Sequence, residues 1–184
     1  SVIAQMTLEE KALLVTGNST FTTYPIKRLG IPSVSLLDGA TGVNLFQLYQ
    51  DTTYRLADDP EAGFGGEVSP AVHADIRDHL LEPEKMQPKA QRIFALLLRQ
   101  MEKRLPEGKL PGCFPPGMLL GATWDPETVY RCGSAVAKEM DAYAIDVVLG
   151  PNINIHRDPR NGRVYEGYAE DPCLAAALAP EFVK

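Results

Sequence analysis

Asp38 closes the apolar run "IPSVSLL" and is followed at once by "GATGVN", so a carboxylate, two glycines and the amide of Asn44 fall within seven residues. A carboxylate accepts two hydrogen bonds side by side, which matches the two donors of vicinal hydroxyls such as those of a sugar. Gly39 and Gly42 let the backbone come close to a ligand. The same acid can instead organise its own turn through an Asx hydrogen bond, and the pattern leaves both readings open. A second polar stretch, "PNINIHRDPRNGRVYEGYAEDP" at 151–172, holds Arg157, Arg160 and Arg163 with Glu166, Glu170 and Asp171. A guanidinium is a rigid planar fork that orients hydroxyls or carboxylates. The same mixture of charges can also be an internal ion-pair network that staples a long loop.

Other chemistries find no support. The three histidines, His73, His79 and His156, are dispersed, so no His-rich metal site and no cofactor are expected. His156, beside an apolar run, reads as a hydrogen-bonded structural residue. No G-x-S-x-G elbow is present, nor a G-x-G-x-x-G or P-loop signature for phosphate. Cys113, Cys132 and Cys173 lie far apart without a C-x-x-C spacing, and read as reduced, buried thiols. A net charge of −6 with no clustered basic face argues against a nucleic-acid partner. The N-terminal "SVIAQMTLEEKALLV" has no basic n-region and mixes charge with its apolar residues, unlike a signal peptide or a membrane span. The expected compartment is the cytoplasm, with a secreted protein whose leader has been removed as the alternative.

These residues need elements to position them. In "MTLEEKALLVTG", Thr7 with Glu10 has capping-box spacing and Gly17 is a stop, which predicts a helix over about 8–16. Val34 to Leu37 reads as a buried strand ending in Asp38-Gly39. Met118 to Ala122 reads as another strand; Asp125 then caps a helix carrying Val129, Cys132, Val136 and Met140 on one core face, and Asp146 to Leu149 returns as a strand. Strand, helix and strand in about thirty residues form a βαβ unit, hence a parallel sheet. In parallel α/β folds ligands meet the loops after the carboxyl ends of the strands, which selects 38–44 and 151–172. Residues 47–110 differ in character and read as an insertion. Within it Ala90, Ile93, Phe94, Leu97, Met101 and Leu105 form the apolar face of an amphipathic helix, and Arg92, Arg99, Lys103 and Arg104 a solvated face.

Four segments, "MTLEEKALLVTG", "RLGIPSVSLLDGATGV", "FPPGMLLGATWDPE" and "GPNINIHRDPRNGRVYEGYAEDP", resemble glycoside hydrolase family 3, whose members include β-glucosidases and β-xylosidases. The resemblance covers nearly all of the chain outside 47–110. It implies an α/β fold, the N-terminal half of a (β/α)8 TIM-type barrel with a largely helical insertion at about 47–110. It also implies a retaining, exo-acting enzyme that binds the non-reducing terminal sugar of a β-glycoside or oligosaccharide. Asp38 matches the family's aspartate that holds sugar hydroxyls, and Arg163 its sugar-contacting arginine. Glu166 and Arg157 match positions that support the loop. The family usually has proline and arginine where this chain has Ala40 and Asn44, so Asn44 is a supporting residue that should alter recognition of the outer hydroxyls.

No catalytic residue is assigned here, because the family's lysine-histidine pair, nucleophilic aspartate and acid/base carboxylate find no match in this sequence. Setting aside the 64 residues of 47–110 leaves 120 of 184, roughly half of the ~250 that a full barrel needs. An open parallel sheet leaves an unpaired edge and an uncovered apolar face. The expected partner is therefore the remaining half of the barrel, from the same gene product or another chain, with no nucleic acid and no membrane. Alone, the segment should bind but not hydrolyse. The alternative is a non-catalytic carbohydrate-binding or scaffold protein derived from the same fold.

Overall fold

The computed structural model describes residues 1–18, 21–44, 47–49, 69–104 and 111–184. The chain divides into two compact units, one formed by Ser1–Asn44 with Pro111–Lys184 and the other by Leu45–Leu110.

The first unit begins with two helices, α1 (Val2–Gln5) and α2 (Leu8–Thr16). Helix α2 starts at the predicted capping box: the Thr7 hydroxyl accepts from the Glu10 N–H at 3.1 Å and Glu10 Oε2 accepts from the Thr7 N–H at 2.9 Å. Glu10 also takes both prongs of Arg28, at 3.0 and 2.8 Å, and these hydrogen bonds hold its carboxyl far below the usual range, at about 2. Gly17 ends the helix at φ +86°, a conformation open to residues without Cβ.

Strand β1 (Leu36–Asp38) pairs in parallel with β2 (Val147–Leu149), and Asp38 stands level with Leu149. The pairing is anchored at its start, where the Asp146 carboxylate accepts from the Ser35 N–H at 2.8 Å and the Val147 N–H donates to Ser35 O at 3.0 Å. Because the strands are parallel, the loops 39–44 and 150–171 leave the sheet at the same end. That register brings the two polar segments together.

One expectation fails in an informative way. Met118 to Ala122, expected as a strand, belongs to helix α5 (Gly117–Ala122), numbered after α3 (Pro70–Asp78) and α4 (Pro88–Arg104) of the second unit. Periodicity cannot separate strand from helix in so short an apolar run. The deciding feature is the four-residue spacing of Gly117 and Gly121, which puts both on one helical face. A Cβ on Gly117 would strike the backbone of Glu166, and one on Gly121 the backbone of Tyr168. The helix thus lies directly on the 164–168 backbone. The parallel partner of β2 is β1.

Helix α6 (Pro126–Tyr143) begins at Asp125, which accepts from the Glu127 N–H, with Pro126 at its first turn. It packs on α7 (Pro172–Val183), and a Cβ on Gly133 would meet the Phe182 backbone. Their shared core is Leu120, Val129, Tyr168, Ala175, Leu178 and Ala179. Burial pushes the Tyr168 phenol up to about 12. The cysteines are free, but they are not all buried: Cys132 is half-buried beside this core, whereas Cys113 and Cys173 are exposed in a loop and at a helix start.

The second unit packs α3 against α4. Ala90, Phe94 and Leu97 are buried along α4, and the ring of Phe94 lies 6.4 Å from that of Tyr49. Arg92 and Arg99 are exposed, as a solvated face requires. The expected positions at Met101, Lys103, Arg104 and Leu105 lie outside the described side chains. Among the described residues no helix is long and apolar enough to cross a membrane.

Candidate functional site

At the carboxyl ends of β1 and β2 a cavity of about 370 Å³ is lined by Asp38, Asn44, Leu149, Arg163, Tyr165 and Glu166, together with residues 39–43 and 112–113. Leu37 is fully buried, while Asp38, the next residue, is exposed. The alternation of a strand turns the acid out of the core at the point where the sheet ends.

The loop after β1 folds back tightly. The Asn44 N–H donates to Asp38 O and the Gly42 N–H to Gly39 O, both at 3.2 Å. Glycine is required twice. A Cβ on Gly39 would overlap the Val148 side chain, and Gly42 sits at φ +103° against Gly112 O and the Phe114 ring. Asn44 is exposed on the rim, and its short amide stands where a long guanidinium would reach further.

On the other side, Arg163 grips Glu166 as a two-pronged pair, Nε to Oε1 at 2.8 Å and Nη2 to Oε2 at 2.6 Å. The partners differ in setting: the Glu166 side chain is 9% exposed and that of Arg163 73%. Asn152 Nδ2 also donates to Glu166 Oε2, at 3.3 Å. These donors, Arg163 foremost, pull the Glu166 carboxyl below its ordinary range. The guanidinium is raised in turn, chiefly by Glu166 and in smaller part by the charge of Asp38. Glu166 is therefore the fixed anchor and Arg163 the group it orients into the cavity. Tyr165, hydrogen-bonded to Glu166, completes this wall.

The remaining loop charges separate by role. Arg160 pairs with Asp158 at 2.6 Å on the surface. Asp171 caps α7 by accepting from the Cys173 N–H at 2.8 Å. Arg157 is exposed and lines neither this cavity nor its neighbour, and no hydrogen bond of its side chain is seen among the described residues. That neighbour, of about 180 Å³, is lined by His156, Asn152, Asn154 and the far side of Arg163. His156 Nε2 is buried there without a partner among the described residues. No group of three or more potential metal ligands occurs among them. Sequence reasoning missed Gly112 and Cys113, which lie in the glycine- and proline-rich "PGCFPPG" and reach the cavity only through contacts distant in sequence.

A polar cavity at the strand ends of a parallel α/β frame is where such folds bind ligands. A profile of the family described as "Glycosyl hydrolase family 3 N terminal domain" matches residues 99–184. A β-glucosidase of Rhizobium radiobacter is 30% identical over 99% of this chain and 15% of its own length, and thermostable β-glucosidase B of Acetivibrio thermocellus 31% identical over 100% and 18%. Among solved structures, β-glucosidase 3B of Thermotoga neapolitana in complex with glucose superposes with a TM-score of 0.61 at 25% identity, over 100% of this chain and 20% of that one. The Kluyveromyces marxianus β-glucosidase in complex with glucose gives 0.62 at 25% identity, over 100% and 15%. Residues 99–184 carry the match to the glycosyl hydrolase family 3 N-terminal domain, and the whole chain is similar to segments of β-glucosidases. It spans between 15% and 20% of the length of these relatives.

Proposed function

We propose that this chain is the sugar-holding part of the N-terminal domain of a retaining, exo-acting β-glucosidase-like hydrolase. Asp38 accepts from two vicinal hydroxyls of the terminal sugar, and the outward face of Arg163 donates to another. The observation that carries this reading is the single cavity shared by Asp38 and Arg163 at the ends of two parallel strands. Arg163 suits the task because Glu166 fixes its plane while most of its surface stays open. Asn44 borders the same space and tunes recognition of the outer hydroxyls. Bond breaking is the work of a nucleophilic carboxylate and an acid/base carboxyl about 5 Å apart, neither of them in this chain. The segment alone binds without hydrolysing.

The same reading makes the two-stranded sheet the opening of a (β/α)8 barrel, with about 47–110 as its insertion and the remaining half supplied by the same gene product or another chain. In support, Val147 and Leu149 of β2 are 37% and 45% exposed. An apolar groove of about 450 Å³ is also open, lined by Ile153, Ile155, Ala175, Ala179 and Val183 among others.

Hydrolysis of 4-nitrophenyl β-D-glucoside by the intact protein tests the proposal. Turnover is expected, and Asp38→Ala should lower kcat/KM about a hundredfold, the effect of losing two hydrogen bonds to a charged acceptor. Turnover unaffected by Asp38→Ala would refute the assignment. The β-glucosidase names of the relatives do not favour the non-catalytic alternative, which requires sugar binding with no turnover at all.

A further inference from the structure

We propose that Glu139, on α6 and outside the cavity, is a positioning residue for the sugar site: it holds the Gly112–Cys113 wall against the loop that carries Asp38. The inference rests on the sugar-site reading above and adds to it the device that sets the width of the pocket.

Glu139 Oε1 accepts from the Gly112 N–H at 2.9 Å. Two residues on, the Phe114 N–H donates to Thr41 O at 2.9 Å. The strap 112–114 is therefore tied on one side to a helix and on the other to the 39–44 loop. Its fit leaves no slack. A Cβ on Gly42 would stand 2.6 Å from Gly112 O and 2.8 Å from the Phe114 ring, and one on Gly112 would stand 2.9 Å from Glu139 Oε1. Gly112 and Cys113 then line the cavity together with Asp38 and Arg163.

The setting of Glu139 is unusual for a helix surface acid. Its second oxygen, Oε2, is buried with no hydrogen-bond partner among the described residues. Removing a carboxylate oxygen from water without a partner is unfavourable, so the side chain is not there for solvation. Among the described residues, the hydrogen bond of its side chain is to the wall. A side-chain acceptor for the Gly112 N–H suits a segment with glycine on one side and Pro115-Pro116 on the other.

Two readouts on the intact protein test this. With 4-nitrophenyl β-D-glucoside, Glu139→Ala should raise KM about ten- to a hundredfold, as a displaced positioning wall does, with kcat changed far less. D-glucose should protect Cys113 from iodoacetamide in the wild type, read by peptide mass. Exposed Cys173, outside the cavity, is the unprotected internal control. In Glu139→Ala that protection should be lost at Cys113 alone. Glu139→Gln keeps an acceptor oxygen and the volume, so it should fold, retain protection and keep KM within about threefold, less than one hydrogen bond is worth. If Glu139→Ala folds poorly, the glutamine variant decides: loss of protection in it overturns the acceptor role. Wild-type KM and protection in Glu139→Ala, with Asp38→Ala defective, would also overturn the inference and leave the sugar site standing. Indifference to Asp38→Ala would instead refute the sugar-site reading on which it rests.

Discussion

The 39–44 loop is held in place by shape, through a Gly39 that lies on Val148, a Gly42 at positive φ and backbone bonds to its own strand end and to Phe114. The 150–171 loop is held by charge, through the buried Glu166 carboxylate and its donors Arg163, Asn152 and Tyr165. One wall of the cavity should therefore tolerate changes of pH and no added atom. The other should tolerate small changes of volume but not the loss of its anion.

The largest effect is expected from the shape-held wall. Gly42→Ala sets a Cβ at φ +103° and against Gly112 O, a combination of strain and overpacking worth about 2–4 kcal/mol. A lower thermal midpoint and loss of glucose binding in calorimetry are the expected results. Unchanged binding would mean that the loop is free to move and that shape does not hold it.

Glu166→Gln addresses the charge-held wall. It keeps the volume of the side chain but removes the anion that orients Arg163. Glucose affinity should fall by about tenfold, the value of one charge-assisted hydrogen bond, with a smaller loss of stability than at Gly42. A thermal loss larger than that of Gly42→Ala would reverse the comparison.

Acid should separate the walls with the smallest effect. The folded carboxyl of Glu166 lies below its unfolded value because of Arg163 and its other donors. Its contribution is thus complete above the unfolded pKa, ~4.3, and is lost as pH falls through the depressed folded value. Hydrogen exchange, corrected for its intrinsic pH dependence, should show the 161–167 amides losing protection before those of 39–44 as pH is lowered from 6 to about 3. Simultaneous loss would mean that the walls are not held independently.

How much of this was legible in sequence follows from how local each cause is. Helix α2 was readable because Thr7, Glu10 and Gly17 carry its start and stop within one short segment. Asp38 and the 151–172 loop could be singled out because each follows an apolar run, and the parallel register brings Asp38 and Arg163 to one cavity. Helix α5 was misread because its six residues span less than two helical turns, and the meaning of Gly117 and Gly121 depends on the 164–168 backbone they touch. The exposure of Cys113 and the role of Glu139 depend on a hydrogen bond spanning 27 positions, which no local pattern encodes. The part of Arg163 was half-visible: the sequence offered sugar contact or ion pairing, and the geometry has one face on Glu166 and the rest open.

The most direct test of the account is a crystal structure of the intact protein with D-glucose bound. The account predicts one sugar whose vicinal hydroxyls both donate to the Asp38 carboxylate and whose neighbouring hydroxyl accepts from Arg163, with Arg163 still gripping Glu166. Glucose bound elsewhere, or touching only one of the two residues, would contradict it.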